Sequence, residues 1–141
     1  MSMEQMFSVA GSALSAQLTR LNATASNIAN ASNVASSEEE AYRGKRVVFR
    51  TLVENEMVGT ETNFAGSVTV EGWVNDPSLP IRMYSPENPI ANEDGYVFKS
   101  NVDEMEEMIE LTAASRADQS SIEGLSTAKQ MMMRTLEVMT A

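Results

Sequence analysis

Apolar residues recur near the start of the chain at a seven-residue step, Phe7, Leu14, Leu21 and Ile28, with Ala10, Leu18 and Ala25 in the intervening half-turns. That spacing predicts an amphipathic helix from Ser2 or Met3 to about Ala31. A second stripe, Ile122, Leu125, Ala128, Met132, Leu136 and Met139, steps by threes and fours and predicts a helix at the other end. Asn101 is its expected cap, with Glu104 placed to complete a capping box, and the helix runs to about Met139. Acids crowd its first turns and Arg116, Lys129 and Arg134 follow, the order that the helix dipole favours.

Between the helices the period changes. Residues 32–46 read as an extended loop. Val47, Val48, Phe49, Leu52 and Val53 form a β-branched and aromatic run. From Gly66 to Val74 the chain alternates, which predicts a strand with Val68, Val70, Gly72 and Val74 on one face and Thr69, Glu71 and Trp73 on the other. Glu54 to Ala65 is polar and reads as a loop joining the two runs. Pro77 and Pro80 close the second strand, Ile81 to Tyr84 suggests a short third, and Asp94-Gly95 signals a turn before Tyr96, Val97 and Phe98.

The expected fold class is therefore α+β and elongated. Long N- and C-terminal helices (1–31 and 101–141) form an antiparallel coiled-coil-like pair, and a small β-rich region (47–100) lies between them. The first helix carries Gly11, Ala13, Ala16, Ala23 and Ala29, and such thin surfaces let several helix backbones come close. Two amphipathic helices on so small a middle point to further helices on neighbouring molecules. The candidate assembly interface is Phe7, Leu14, Leu18, Leu21, Ile28, Ile122, Leu125, Met132, Leu136 and Met139. Asn27, Asn30 and Asn33 are expected to weaken the first helix toward its end.

Composition narrows the chemistry. With no histidine and no cysteine among 141 residues, imidazole acid–base catalysis, thiol nucleophiles, disulfides and the usual zinc sites are all removed. The net charge of −10 and the lack of any sizeable basic segment argue against nucleic acid. Glu38, Glu39 and Glu40 read as a solvated charge run, so no metal, cofactor or catalytic site is expected. Eleven methionines suit adaptable gap-filling at helix interfaces. The start of the chain shows no secretory pattern and no stretch is long and apolar enough to span a membrane, so export without a cleaved signal peptide is expected.

Residues 10–31, 42–49, 88–97, 101–108, 114–116 and 128–136 together resemble the axial rod and hook proteins of the bacterial flagellum, and among them the small proximal-rod type. The Ser26-Asn27-Ile28-Ala29-Asn30 stretch is general to that family, whereas the Tyr42-Arg43 and Asn88-Pro89 to Gly95-Tyr96-Val97 blocks point to the proximal rod. Ser100, Asp118 and Ser121 stand where that family commonly has a proline, an aromatic and an asparagine. The resemblance implies a structural subunit, exported through the flagellar type III apparatus, whose terminal helices polymerise into a tubular drive shaft crossing the periplasm. That shaft transmits torque and contains the export channel. The implied partners are other copies of itself, other rod proteins, and export-gate or adaptor proteins at the rod base. An isolated subunit would then have frayed ends. The alternative reading is a soluble coiled-coil adaptor or type III secreted effector that binds one partner helix.

Overall fold

A computed structural model of the chain describes the backbone of residues 3–58 and 61–140 and the side chains of residues 5–52 and 66–140. The two predicted helices are present, α1 at Met3–Asn30 and α2 at Glu104–Thr140, and they pack against each other. Ser2, the other expected start of α1, lies outside the described residues, as does Ala141. The β-rich middle forms two separate antiparallel sheets.

The start of α2 departs from the expected cap. Asp103, not Asn101, closes the first turn, its Oδ1 accepting from the amides of Met105 at 2.9 Å and Glu106 at 3.2 Å. Asn101 is drawn away by the neighbouring loops. Its Oδ1 accepts from Gly44 N at 2.8 Å and its Nδ2 donates to the Ser78 carbonyl at 2.9 Å. Both residues suit a cap by propensity, and the loop contacts decide between them.

The larger sheet is one long hairpin. Strand β2 (Lys45–Val58) pairs with β3 (Glu61–Asn75) from Lys45↔Asn75 out to Val58↔Glu61. The stretch expected as a loop, Glu54 to Ala65, is thus paired strand up to Gly59 and Thr60, which lie outside the described residues. Its polar composition misled because a two-stranded ribbon can form without an alternating apolar face.

A bulge also overturns the expected facing of β3. Val48 pairs with Gly72 but Phe49 pairs with Val70, so Glu71 is the extra residue. One inserted residue reverses the alternation beyond it. Val68 and Val70 share a face with Phe49, and Trp73 joins that face beside Val47, while Gly72 and Val74 turn to the other side.

A two-residue strand β1 (Val34–Ala35), inside the segment read as a loop, pairs with β5 (Tyr96–Lys99), which also pairs with β4 (Ile81–Tyr84). The Asp94-Gly95 turn precedes β5 as expected, with Gly95 at φ +78°, a conformation side chains resist. Ser100 shows what the missing proline permits. It is fully buried, its amide donates to the Asn33 carbonyl at 3.2 Å, and a proline has no N–H to make that bond.

The core is thin. Among the described residues its buried apolar side chains are Ala16, Ala23, Ala31, Ala41, Val97, Val102 and Ala114, and the bulkiest fully buried side chain is Glu107. No helix among the described residues is long and apolar enough to cross a membrane.

Candidate assembly interface

The two helices meet through small residues. Ala16 and Ala23 of α1 and Ala114 of α2 are buried, and the Arg20 guanidinium pairs with Glu110 across the seam. Along α2 the covered positions continue as Ala117, Asp118, Ser121, Leu125, Ala128 and Met132, a three-four repeat. Alanine permits the close approach but contributes little burial energy, whereas each fully buried leucine would contribute about 1.5 to 3 kcal/mol.

The predicted interface residues fall into two groups. Phe7, Leu14, Leu21, Ile28, Leu125 and Met132 are half-buried, while Leu18, Ile122, Leu136 and Met139 are exposed. The Leu14–Leu21–Ile28 series lies two residues before Ala16 and Ala23 in phase, roughly 200° around the helix. The seven-residue stripe is thus largely distinct from the tightest contact within the chain. The structure brings Leu125 and Met132 onto the α2 seam and leaves the exposed group uncovered.

What locks the helices to the hairpin is polar. Asn27, 1% exposed in the last turn of α1, uses its side-chain amide twice on one backbone unit. Its Nδ2 donates to the Lys45 carbonyl at 3.0 Å and its Oδ1 accepts from Lys45 N at 2.8 Å. The Tyr42 hydroxyl donates to the same Oδ1 at 3.1 Å. α1 ends at Asn30, within the asparagine-rich stretch expected to weaken it, and the Asn27 side chain bonds outward to β2. Gly44 sits next to this clamp, where an added Cβ would lie 3.3 Å from Val102 Cγ2.

Charges complete the junction. Arg46 donates from Nη1 to Glu107 Oε1 at 2.9 Å and approaches Asp76 at 4.0 Å. Glu107 is 2% exposed and its Oε2 has no hydrogen-bond partner, so Arg46 alone compensates this carboxylate. Two other acceptors, Gln17 Oε1 and Asp118 Oδ1, are buried without partners. The side-chain and backbone hydrogen bonds from Ser78 hold the Asp76 carboxyl below its ordinary pKa near 3.8, with Arg46 adding to the effect and burial opposing it. The triple Glu behaves as a turn, Glu38 pairing with Arg43 at 3.7 Å and Glu40 accepting from Ser36.

Comparison with known proteins matches the same two ends. Residues 7–35 fit the family described as "Flagella basal body rod protein" and residues 93–138 that described as "Flagellar basal body rod FlgEFG protein C-terminal". The chain is 43% identical to the flagellar basal-body rod protein FlgC of Yersinia enterocolitica over 136 residues, covering 96% of this chain and 97% of the relative. This chain belongs to the FlgC family of flagellar basal-body rod proteins. FlgC of Escherichia coli O157:H7 is 41% identical over the same coverage, and FlgC of Bacillus subtilis is 31% identical over 92% of this chain and 93% of its own length. The two segments matched to rod-family descriptions are the ones that Arg20–Glu110 ties together, so the family's resemblance and the helix seam coincide. Sequence reading missed Asn27, Arg46, Asn101 and Glu107. For Asn27 a signal existed, since it continues the Ala16, Arg20, Ala23 spacing on the seam side of the helix.

Proposed function

We propose that this chain is a structural, non-catalytic subunit of the rod, polymerising through its terminal helices into the tubular drive shaft that transmits torque and contains the export channel. The observation that carries this reading is the uneven length of the helix pair. From the Arg20–Glu110 pair, α1 runs about 17 residues further to Met3 and α2 about 30 to Thr140, so α2 projects roughly 20 Å past α1. On that projection Val138 is 79% and Met139 78% exposed. A lone helical segment of about 13 residues is marginal in water, and neighbouring subunits supply its missing contacts. In the rod the hairpin faces outward and helps set the angle between subunits. Partners are other copies, other rod proteins and export-gate or adaptor proteins, and the location is the periplasmic part of the basal body.

The test is a helical reconstruction of basal bodies carrying the tagged chain, together with Leu14→Asp and Leu21→Asp variants. Each variant should be exported yet absent from rods. Normal motility in either, or a stable discrete dimer that never enters basal bodies, would favour the adaptor reading instead.

A further inference from the structure

Between the last turns of α1 and the base of the hairpin runs a groove of about 350 Å³. Asn22 and Ser26, one turn apart on α1, form one wall, and Lys45, Trp73 and Asn75 form the other. The strand register sets Trp73 beside Val47 and Asn75 beside Lys45, so the three hairpin residues share one face. The walls are tied together by the Asn27 clamp on the Lys45 backbone and by Tyr42, whose hydroxyl lies 3.2 Å from Ser26 Oγ. A groove tied in this way binds without first ordering its walls. Its polar groups lack partners within the chain. The carboxamides of Asn22 and Asn75 make no hydrogen bond among the described contacts. The Lys45 ammonium pairs with no carboxylate among them and has only the Tyr42 ring, at 5.9 Å. Trp73, the only tryptophan of the chain, is 51% exposed here.

An aromatic face with a few convergent polar groups is the form of a small-molecule site, and the chemistry narrows the occupant. A strand cannot add at this edge, because the outward N–H and C=O of Lys45 are already taken by the Asn27 side chain. An amphipathic helix needs an apolar trough, and Trp73 is the only large apolar side chain lining the groove. Nucleic acid is disfavoured by a single cation in a chain of net charge −10. A sugar fits each group. Its C–H face packs on a flat indole, and its vicinal hydroxyls, each donor and acceptor at once, match carboxamides that are also both. A carboxylate on the ring meets the Lys45 ammonium. We propose that this groove binds an acidic saccharide, with one ring stacked on Trp73, its hydroxyls on Asn22 and Asn75, and its carboxylate on Lys45. The site lies apart from the apolar stripes at the chain ends and does not depend on the rod reading.

Because Trp73 is the only indole, its emission reports the groove directly in the full-length protein. Titration with tetragalacturonate should give a saturable emission change, and galactotetraose, its neutral counterpart, a weaker one. Calorimetry on variants then assigns the contacts. Asn22→Ala, at an exposed helix position, should weaken tetragalacturonate binding about 5- to 10-fold without lowering the melting temperature. Lys45→Gln should remove most of the preference for the acidic over the neutral sugar. Neither heat nor emission change with either sugar at millimolar concentration would overturn the proposal, as would binding that both variants leave unaltered. A shift of Trp73 emission on raising the protein concentration, with none on adding sugar, would replace the saccharide by a second copy seated in the groove.

Discussion

The junction around Asn27 and the projecting end of α2 belong to the same helix pair, yet they are held in opposite ways. At the junction α1, the hairpin base and the start of α2 are tied by named hydrogen bonds and an ion pair. At the projecting end large apolar side chains stand in solvent, and the Thr135 and Thr140 hydroxyls bond back to the helix's own carbonyls. The first region is specified within one chain, and in the proposed rod the second is completed by neighbours. On that proposal the hairpin base is tied to the helices within the chain, while the surface for assembly lies at the ends.

The strongest way to break this contrast is Asn27→Ala. It removes both side-chain bonds to the Lys45 backbone and leaves the Tyr42 hydroxyl only Ser26 Oγ, at a part-buried site, and it should cost about 1 to 3 kcal/mol in denaturant unfolding of the monomer. Arg46→Ala leaves Glu107 buried without its cation and should cost about 1 to 3 kcal/mol, whereas the double variant with Glu107→Leu should recover part of that. If Arg46→Ala proved neutral by calorimetry, the junction would not be the folded anchor described above.

Gly124 stands in α2 with open space where a Cβ would go. Gly124→Ala should raise stability by about 0.5 to 1 kcal/mol, read as thermal helix loss by circular dichroism. Because the Asp76 pKa is lowered on folding, its contribution is fully present above the unfolded value near 3.8 and is lost as the pH falls through the lower folded value. Asp76→Asn should therefore flatten the acid limb of the stability profile and leave it unchanged in shape near neutrality. The smallest effect on the monomer is expected from Leu136→Asp, within about 0.5 kcal/mol, since the side chain is exposed. Its effect should appear only in assembly, as loss of rod incorporation, and a comparable loss of monomer stability would erase the distinction between the two regions.

Much of the architecture was legible in the residues and some was misread for identifiable reasons. Heptad and three-four spacings placed both helices, and the β-branched runs placed β2, β3 and β4. Glu54 to Ala65 escaped because a two-stranded ribbon can be polar on both faces. Trp73 was set on the wrong side because periodicity cannot register a bulge, which depends on the partner strand. The candidate interface was legible as apolar stripes, but the stripes did not say which positions pack within the chain. The asparagines marked the end of α1, but the tie from Asn27 to a backbone unit eighteen positions away was not legible, because propensity counts only local alternatives.

The sequence alone determined that two amphipathic helices bracket a strand-rich middle, that imidazole and thiol chemistry is absent, and that the ends resemble axial rod proteins. Those conclusions rest on local spacing and composition, which survive any arrangement of the parts. The tertiary structure decided that alanines and one buried carboxylate fill the seam, that Asp103 caps α2 while Asn101 bridges loops, and that α2 outruns α1. Each of these depends on the register between distant segments, as in the Arg20–Glu110 pair, ninety positions apart. Such a register follows from the summed geometry of long-range contacts, and no periodicity within either helix contains it.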